Sequence, residues 1–196
     1  MEELFSASNI KSTITLMHII GLIFGLGGAW FIDGYIILNR KSLMNEENLK
    51  LIEGMSKFVV LGVSLLWISG LSFVAFYYFY TPEFLGNEKV IGKAFIVMVL
   101  TINGFLIHSQ VMKGIHEMKG KEFAELFDCE QSKKFLIVGT VSFVSWLFPL
   151  VIGVSKSLNF STPATSIILF YLLFLVASLM VSGKVMRKYM SRTRCA

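Results

Sequence analysis

Only three histidines occur in the chain, His18, His108 and His116, and the first two interrupt otherwise apolar sequence. His18, Gly21, Gly25, Ala29 and Asp33 follow one another at spacings of 3, 4, 4 and 4. At about 100° per residue such positions share one stripe of a helix. Small residues at Gly21, Gly25 and Ala29 let a neighbouring helix approach closely, the small-xxx-small mode of packing in lipid. The stripe is therefore expected to face a bundle interior and to carry His18 and Asp33 inward with it. An Asp at the centre of a membrane helix costs about 2.5–3.5 kcal/mol on insertion scales, so ionisable groups at such depth are site candidates. Their chemistry would be proton exchange, mutual orientation or metal ligation.

A second polar set lies between 87 and 112, with Thr101, Asn103, His108, Ser109 and Gln110. His108 shares a stripe with Thr101, Gly104 and Met112, while Asn103 and Gln110 occupy another face. The candidate intramembrane polar site is His18, Asp33, Asn103 and His108. Rise per residue separates His18 from His108 by about 15 Å along the membrane normal, which is too far for one haem iron or one metal to bind both easily. Pairing His108 with Asp33 at the inner level fits depth better. Each group also has a structural reading: a hydrogen-bonded histidine, with Tyr77 or Tyr78 near the level of His18, or an interfacial carboxylate paired with Lys57. His116, beside Glu117, is expected to be solvated. The stripes Gly139, Ser142, Trp146, Pro149, Gly153 and Tyr171, Ser178, Ser182 read as interhelical packing. No HExxH, GxSxG, Walker or Rossmann signature occurs, so the chain reads as a non-enzyme rather than a soluble-type catalyst.

The elements that must position these residues are long apolar runs. Of 196 residues 55% are hydrophobic, 18 of them Phe, with a mean hydropathy of +0.69. A soluble core cannot absorb that much apolar surface, whereas a bilayer needs about 20 apolar residues per crossing helix. Five spans are expected, at 12–38, 58–80, 92–112, 135–155 and 164–186, joined in part by a linker at 113–134. The fold class is all-α, a single integral membrane domain over 1–196. Asn45 followed by Glu46 and Glu47 marks a helix start whose first turns project into the cytoplasm. Thr162 and Pro163 read as the N-cap and first residue of the fifth span. Pro149 is expected to bend the fourth. Phe123, Leu126 and Phe127 suggest a short interfacial helix or a solvated loop.

The acidic opening MEELFSASNIK lacks a basic n-region and is expected to lead into a retained helix rather than a secretory signal. Of the 18 Lys and Arg residues, only Lys11, Lys89, Lys93 and Lys156 fall outside if the N-terminus is outside and the C-terminus cytoplasmic. That orientation obeys the positive-inside rule and implies a bacterial inner membrane. The net charge of +5 thus belongs to membrane topology and not to nucleic acid. Cys129 and Cys195 fall on the cytoplasmic side, where thiols stay reduced. The expected partner is the lipid bilayer, with a homo-oligomer or a membrane-complex partner compatible with the packing stripes.

The segment HIIGLIFGLGGAWFID, from His18 to Asp33, resembles a pattern found in small uncharacterised bacterial multi-pass membrane proteins. It is more distantly similar to helix one of the CopD-like copper-resistance and HemJ-like protoporphyrinogen oxidase families. The HemJ-like resemblance maps the family histidine onto His18 and implies haem b as cofactor, with His108 the other histidine available as a ligand. This chain has five spans where that family has four, and no second histidine soon after the first helix. The functional alternatives are a haem- or metal-binding redox protein, a small proton-coupled transporter titrating through Asp33 and His108, and a non-catalytic membrane subunit.

Overall fold

The computed structural model describes residues 6–39, 41–117, 119–122 and 131–190, apart from the side chains at 110, 111, 117, 131, 132, 156 and 186–190. Helix α1 (Ala7–Leu38) begins before the apolar run because the Ser6 side chain caps it, accepting from the Asn9 N–H at 3.4 Å. Helix α2 (Glu46–Tyr80) opens on Asn45, whose side chain accepts from the Asn48 N–H at 2.8 Å, with Glu46 and Glu47 in the first turn. Helices of 32 and 35 residues are roughly 48 and 52 Å long. Both exceed a hydrocarbon layer of about 30 Å, so their ends have room to project beyond one.

These two helices form a tight hairpin. At its turn the Tyr35 hydroxyl donates to Asn48 Oδ1 at 2.6 Å, and Asn48 Nδ2 donates to the Leu43 carbonyl at 3.1 Å. Farther along, Gly21 and Gly25 lie directly against Gly62. A methyl group added at Gly62 would lie 2.5 Å from Gly25 Cα and 2.7 Å from the Gly21 carbonyl oxygen. Only glycine permits backbones to meet this closely.

The remaining helices are α3 (Lys89–Leu106), a π turn (Ile107–Val111), α4 (Met112–Glu117), α5 (Gln131–Val154) and α6 (Ala164–Met190). Helices α3, α5 and α6 pack around Ile96, Val144, Ile152, Ile167 and Tyr171, where Ser145 Oγ and the Tyr171 hydroxyl are 2.8 Å apart. Pro149 sits inside α5 and cannot supply the N–H that the Ser145 carbonyl would otherwise accept, yet the helix continues to Val154. Among the described residues there is no strand, and five helical stretches are long and apolar enough to cross a membrane, counting Lys89–His116 as one.

Three details differ from the sequence expectation. Helix α6 starts at Ala164, and its first N–H donates to the Glu88 carboxylate at 2.7 Å, so the cap comes from 76 residues away rather than from Thr162. The π turn holds one extra residue and rotates the helix beyond it. Thr101, Gly104 and His108 are therefore exposed while Met112, expected on their stripe, is buried. His116 is not merely solvated: its Nε2 lies 2.9 Å from Glu53. The helix or loop expected at 123–127 lies outside the described residues.

The hairpin meets the three-helix group through aromatic side chains. The Trp146 indole fills the space a methyl group on Gly25 would need, Trp30 stacks on Phe143 at 5.5 Å, and Trp67 Nε1 donates to Thr101 Oγ1 at 3.0 Å. At the α1–α2 turn, Met44, Leu49, Ile52, Met112 and Ile115 make a separate apolar cluster. The segment after α4 is held there because Met44 N–H donates to the Lys121 carbonyl (2.8 Å) and Gly120 N–H to that of Met44 (2.9 Å). Gly120 takes φ 84°, which favours glycine.

Candidate functional site

His18 and Ser69 form the first part of the site. They face each other across the α1–α2 seam, with Nδ1 and Oγ 2.8 Å apart. Ser69 is fully buried, and its hydroxyl proton goes to the Leu65 carbonyl of its own helix at 2.6 Å. A hydroxyl has one proton, so toward His18 it can only accept. The imidazole therefore carries its hydrogen on Nδ1, and its Nε2 keeps a lone pair. Phe73 packs edge-on against the ring at a centroid distance of 5.8 Å.

The next charged group is Lys93 of α3, half-buried and within electrostatic reach of His18. Its Nζ lies against Gly153 of α5, where an added methyl group would be 3.6 Å away. One turn before it, Lys89 is 5% exposed, and its Nζ donates to the Ser155 carbonyl at 2.8 Å and to Asn159 Oδ1 at 2.9 Å. The helix start holding both lysines is set by Asn87, whose side chain accepts from the Lys89 N–H at 3.2 Å.

The other expected site residues lie elsewhere. Asp33 is on α1, 15 residues beyond His18, which is about 22 Å of helix. It is half-buried and makes no hydrogen bond or ion pair among the described residues, with Lys57 or otherwise. Asn103 is 4% exposed, and its Nδ2 donates to the Val138 carbonyl at 3.1 Å, a strut between α3 and α5. His108 is exposed on the π turn and makes no contact of this kind with Asp33. The four residues thus do not form one cluster. Gly21, Gly25 and Ala29 are all buried in the helix contacts described above.

Sequence reasoning misses Ser69, Lys89 and Lys93. A serine in an apolar run gives no sign of its partner. The lysines carry a signal, because they are spaced i, i+4 at the start of a span, yet as charges outside the membrane they read only as topology.

A haem b does not fit these residues. His18 and His108 are on different helices, one packed against Ser69 and the other exposed about 22 Å of helix beyond Lys93. Close to His18, the α1–α2 seam is filled by backbone contact and by the Trp146 ring rather than left as a planar slot. Among the described residues no three His, Cys, Asp or Glu side chains gather as a metal group would need. A depression of about 370 Å³ on α1 is lined by Lys11, Ser12, Thr15, Leu16 and Ile19, and His18 does not line it. No family model matches the chain, and neither a characterised protein nor a solved structure is significantly similar to it.

Proposed function

We propose that the chain is a small proton-coupled carrier of the bacterial inner membrane, with five spans, its N-terminus outside and its C-terminus in the cytoplasm. One observation carries this reading: His18 and Asp33, on the same helix, each keep a proton-accepting atom without a described protein partner. Structural polar groups within lipid normally satisfy every such atom, because an unpaired one is costly. Membrane insertion is supported by the outward apolar side chains, among them Leu38, Phe79, Phe105 and Phe170, all more than two-thirds exposed. Orientation is supported by the distribution of Lys and Arg.

In this reading His18 Nε2 accepts a proton from the outer side, while Ser69 holds the ring in place. Asp33 delivers a proton at the inner side, where the span ends at about Leu38. The solute moves as the α1–α2 hairpin shifts against α3, α5 and α6, since these two groups touch mainly through aromatic faces that can slide. His108 is no longer the partner of Asp33, and Asn103 serves as a structural strut.

The test is acidification of the lumen of protein-containing liposomes after an external acid step, read with a trapped pH dye. The wild type should acidify faster than empty liposomes. Asp33→Asn should fall to the empty-liposome rate, and Thr101→Ala should not. Equal rates for wild type and Asp33→Asn would remove the carrier reading in favour of a non-catalytic membrane subunit.

A further inference from the structure

We propose that Lys89 and Lys93, beside the imidazole of His18, form a binding site for a phosphate oxyanion at the outer mouth of the bundle. The site does not involve Asp33, and it stands whether or not protons are carried.

An ammonium group has three N–H bonds to donate. Lys89 spends two, on the Ser155 carbonyl and on Asn159 Oδ1, leaving one. Lys93 has no hydrogen bond or ion pair among the described residues, which leaves all three. Four donors on two cations, one helical turn apart, therefore lack protein acceptors.

A lone lysine near a span end commonly reaches for water and needs no ligand. Lys89 does not do so: it is almost fully buried and is fastened by two protein oxygens. That attachment holds one positive charge beside another on the same face, an arrangement that is repulsive unless an anion joins it.

The protein supplies no carboxylate to do this. The adjacent Glu88 is turned away, with its carboxylate accepting from the Ala164 N–H at 2.7 Å. Glu83, in the turn at Pro82–Gly86, is exposed, and neither ion pair among the described residues involves it. Space for a ligand adjoins Lys93, because Gly153 presents no side chain toward Nζ. Phosphate suits such a site since its several oxygens can accept from both ammonium groups at once, with the lysines acting as point charges. The same chemistry is offered by a free phosphate group and by the headgroup of an anionic phospholipid.

The experiment uses the full chain in nanodiscs. Inorganic phosphate is titrated calorimetrically into protein in phosphatidylcholine discs, and retained lipid is read by native mass spectrometry from discs containing phosphatidylglycerol. Lys93→Met removes the cation and Lys93→Arg keeps it. Lys41→Met removes a charge at the far end. Saturable phosphate binding, weakened about tenfold or more by Lys93→Met and kept by Lys93→Arg and Lys41→Met, supports the site with a free phosphate ligand. Phosphatidylglycerol retention with the same variant pattern, and no binding of inorganic phosphate, supports it with a lipid headgroup. Absence of both, or an equal loss in Lys41→Met, overturns it. Lys89→Met repeats the measurement at the second cation, so a folding defect in one variant does not decide the outcome.

Discussion

Replacing Gly62 by alanine should destabilise the protein, whereas the same change at Gly70, two turns along the same helix, should stabilise it. At Gly62 the new methyl group would lie 2.5 Å from Gly25 Cα and 2.7 Å from the Gly21 oxygen, and ordinary contact begins near 3.4 Å. The obstacle is backbone, which has no rotamer to adopt, so α1 and α2 must part by about 1 Å along the seam. Overpacking of this kind costs about 1–3 kcal/mol. At Gly70 a methyl group meets nothing within 4 Å. Alanine there gains roughly 0.5–1 kcal/mol from reduced backbone freedom. The two variants should therefore differ by about 1.5–4 kcal/mol, with opposite signs relative to the wild type. Reversible unfolding in mixed micelles, titrated with sodium dodecyl sulfate and followed by helicity, measures both. If Gly62→Ala is as stable as Gly70→Ala, the backbone contact between α1 and α2 is not as described.

Ser69→Ala removes the acceptor from His18 Nδ1–H and should cost about 1–3 kcal/mol for the unpaired imidazole. Adding His18→Leu should recover part of that loss in the same unfolding assay. Ile115→Ala, in the packed cluster at the α1–α2 turn, should lower stability by about 2–5 kcal/mol. Breaking the exposed Lys119 and Glu46 pair by Lys119→Met should change it by less than about 1 kcal/mol, so a larger loss than at Ile115 would contradict the packing described for that turn. Asp33→Asn should raise the thermal midpoint at neutral pH while removing proton flux, because it deletes a partnerless carboxylate within a span. A lowered midpoint would mean that Asp33 has a stabilising partner.

Much of the architecture follows from local signals. Apolar runs longer than a bilayer is thick mark the five long helices, and Asn45 with Glu46 and Glu47 marks the start of α2, because a cap and its helix are adjacent in sequence. The stripe His18, Gly21, Gly25, Ala29 and Asp33 is legible because α1 keeps one helical period from end to end. The polar pairing is not. The π turn at Ile107–Val111 shifts the phase of α3, so a stripe read at 100° per residue carries His108 to an exposed face and leaves Asp33 without it. Ser69, the Glu88 cap on α6 and the lysine pair depend on residues 51, 76 and 66 positions away. Helical period gives no information about contacts at that range.

Side-chain assignments to an outer and an inner mouth depend on which way the bundle crosses the membrane. Paired reporters test this directly: green fluorescent protein and alkaline phosphatase, each fused after Ala196 and each inserted at Glu83 between α2 and α3. A cytoplasmic C-terminus predicts fluorescence without phosphatase activity at Ala196 and phosphatase activity without fluorescence at Glu83. The reverse pattern would put the lysine pair in the cytoplasm and Asp33 outside, contradicting the assignment of both mouths.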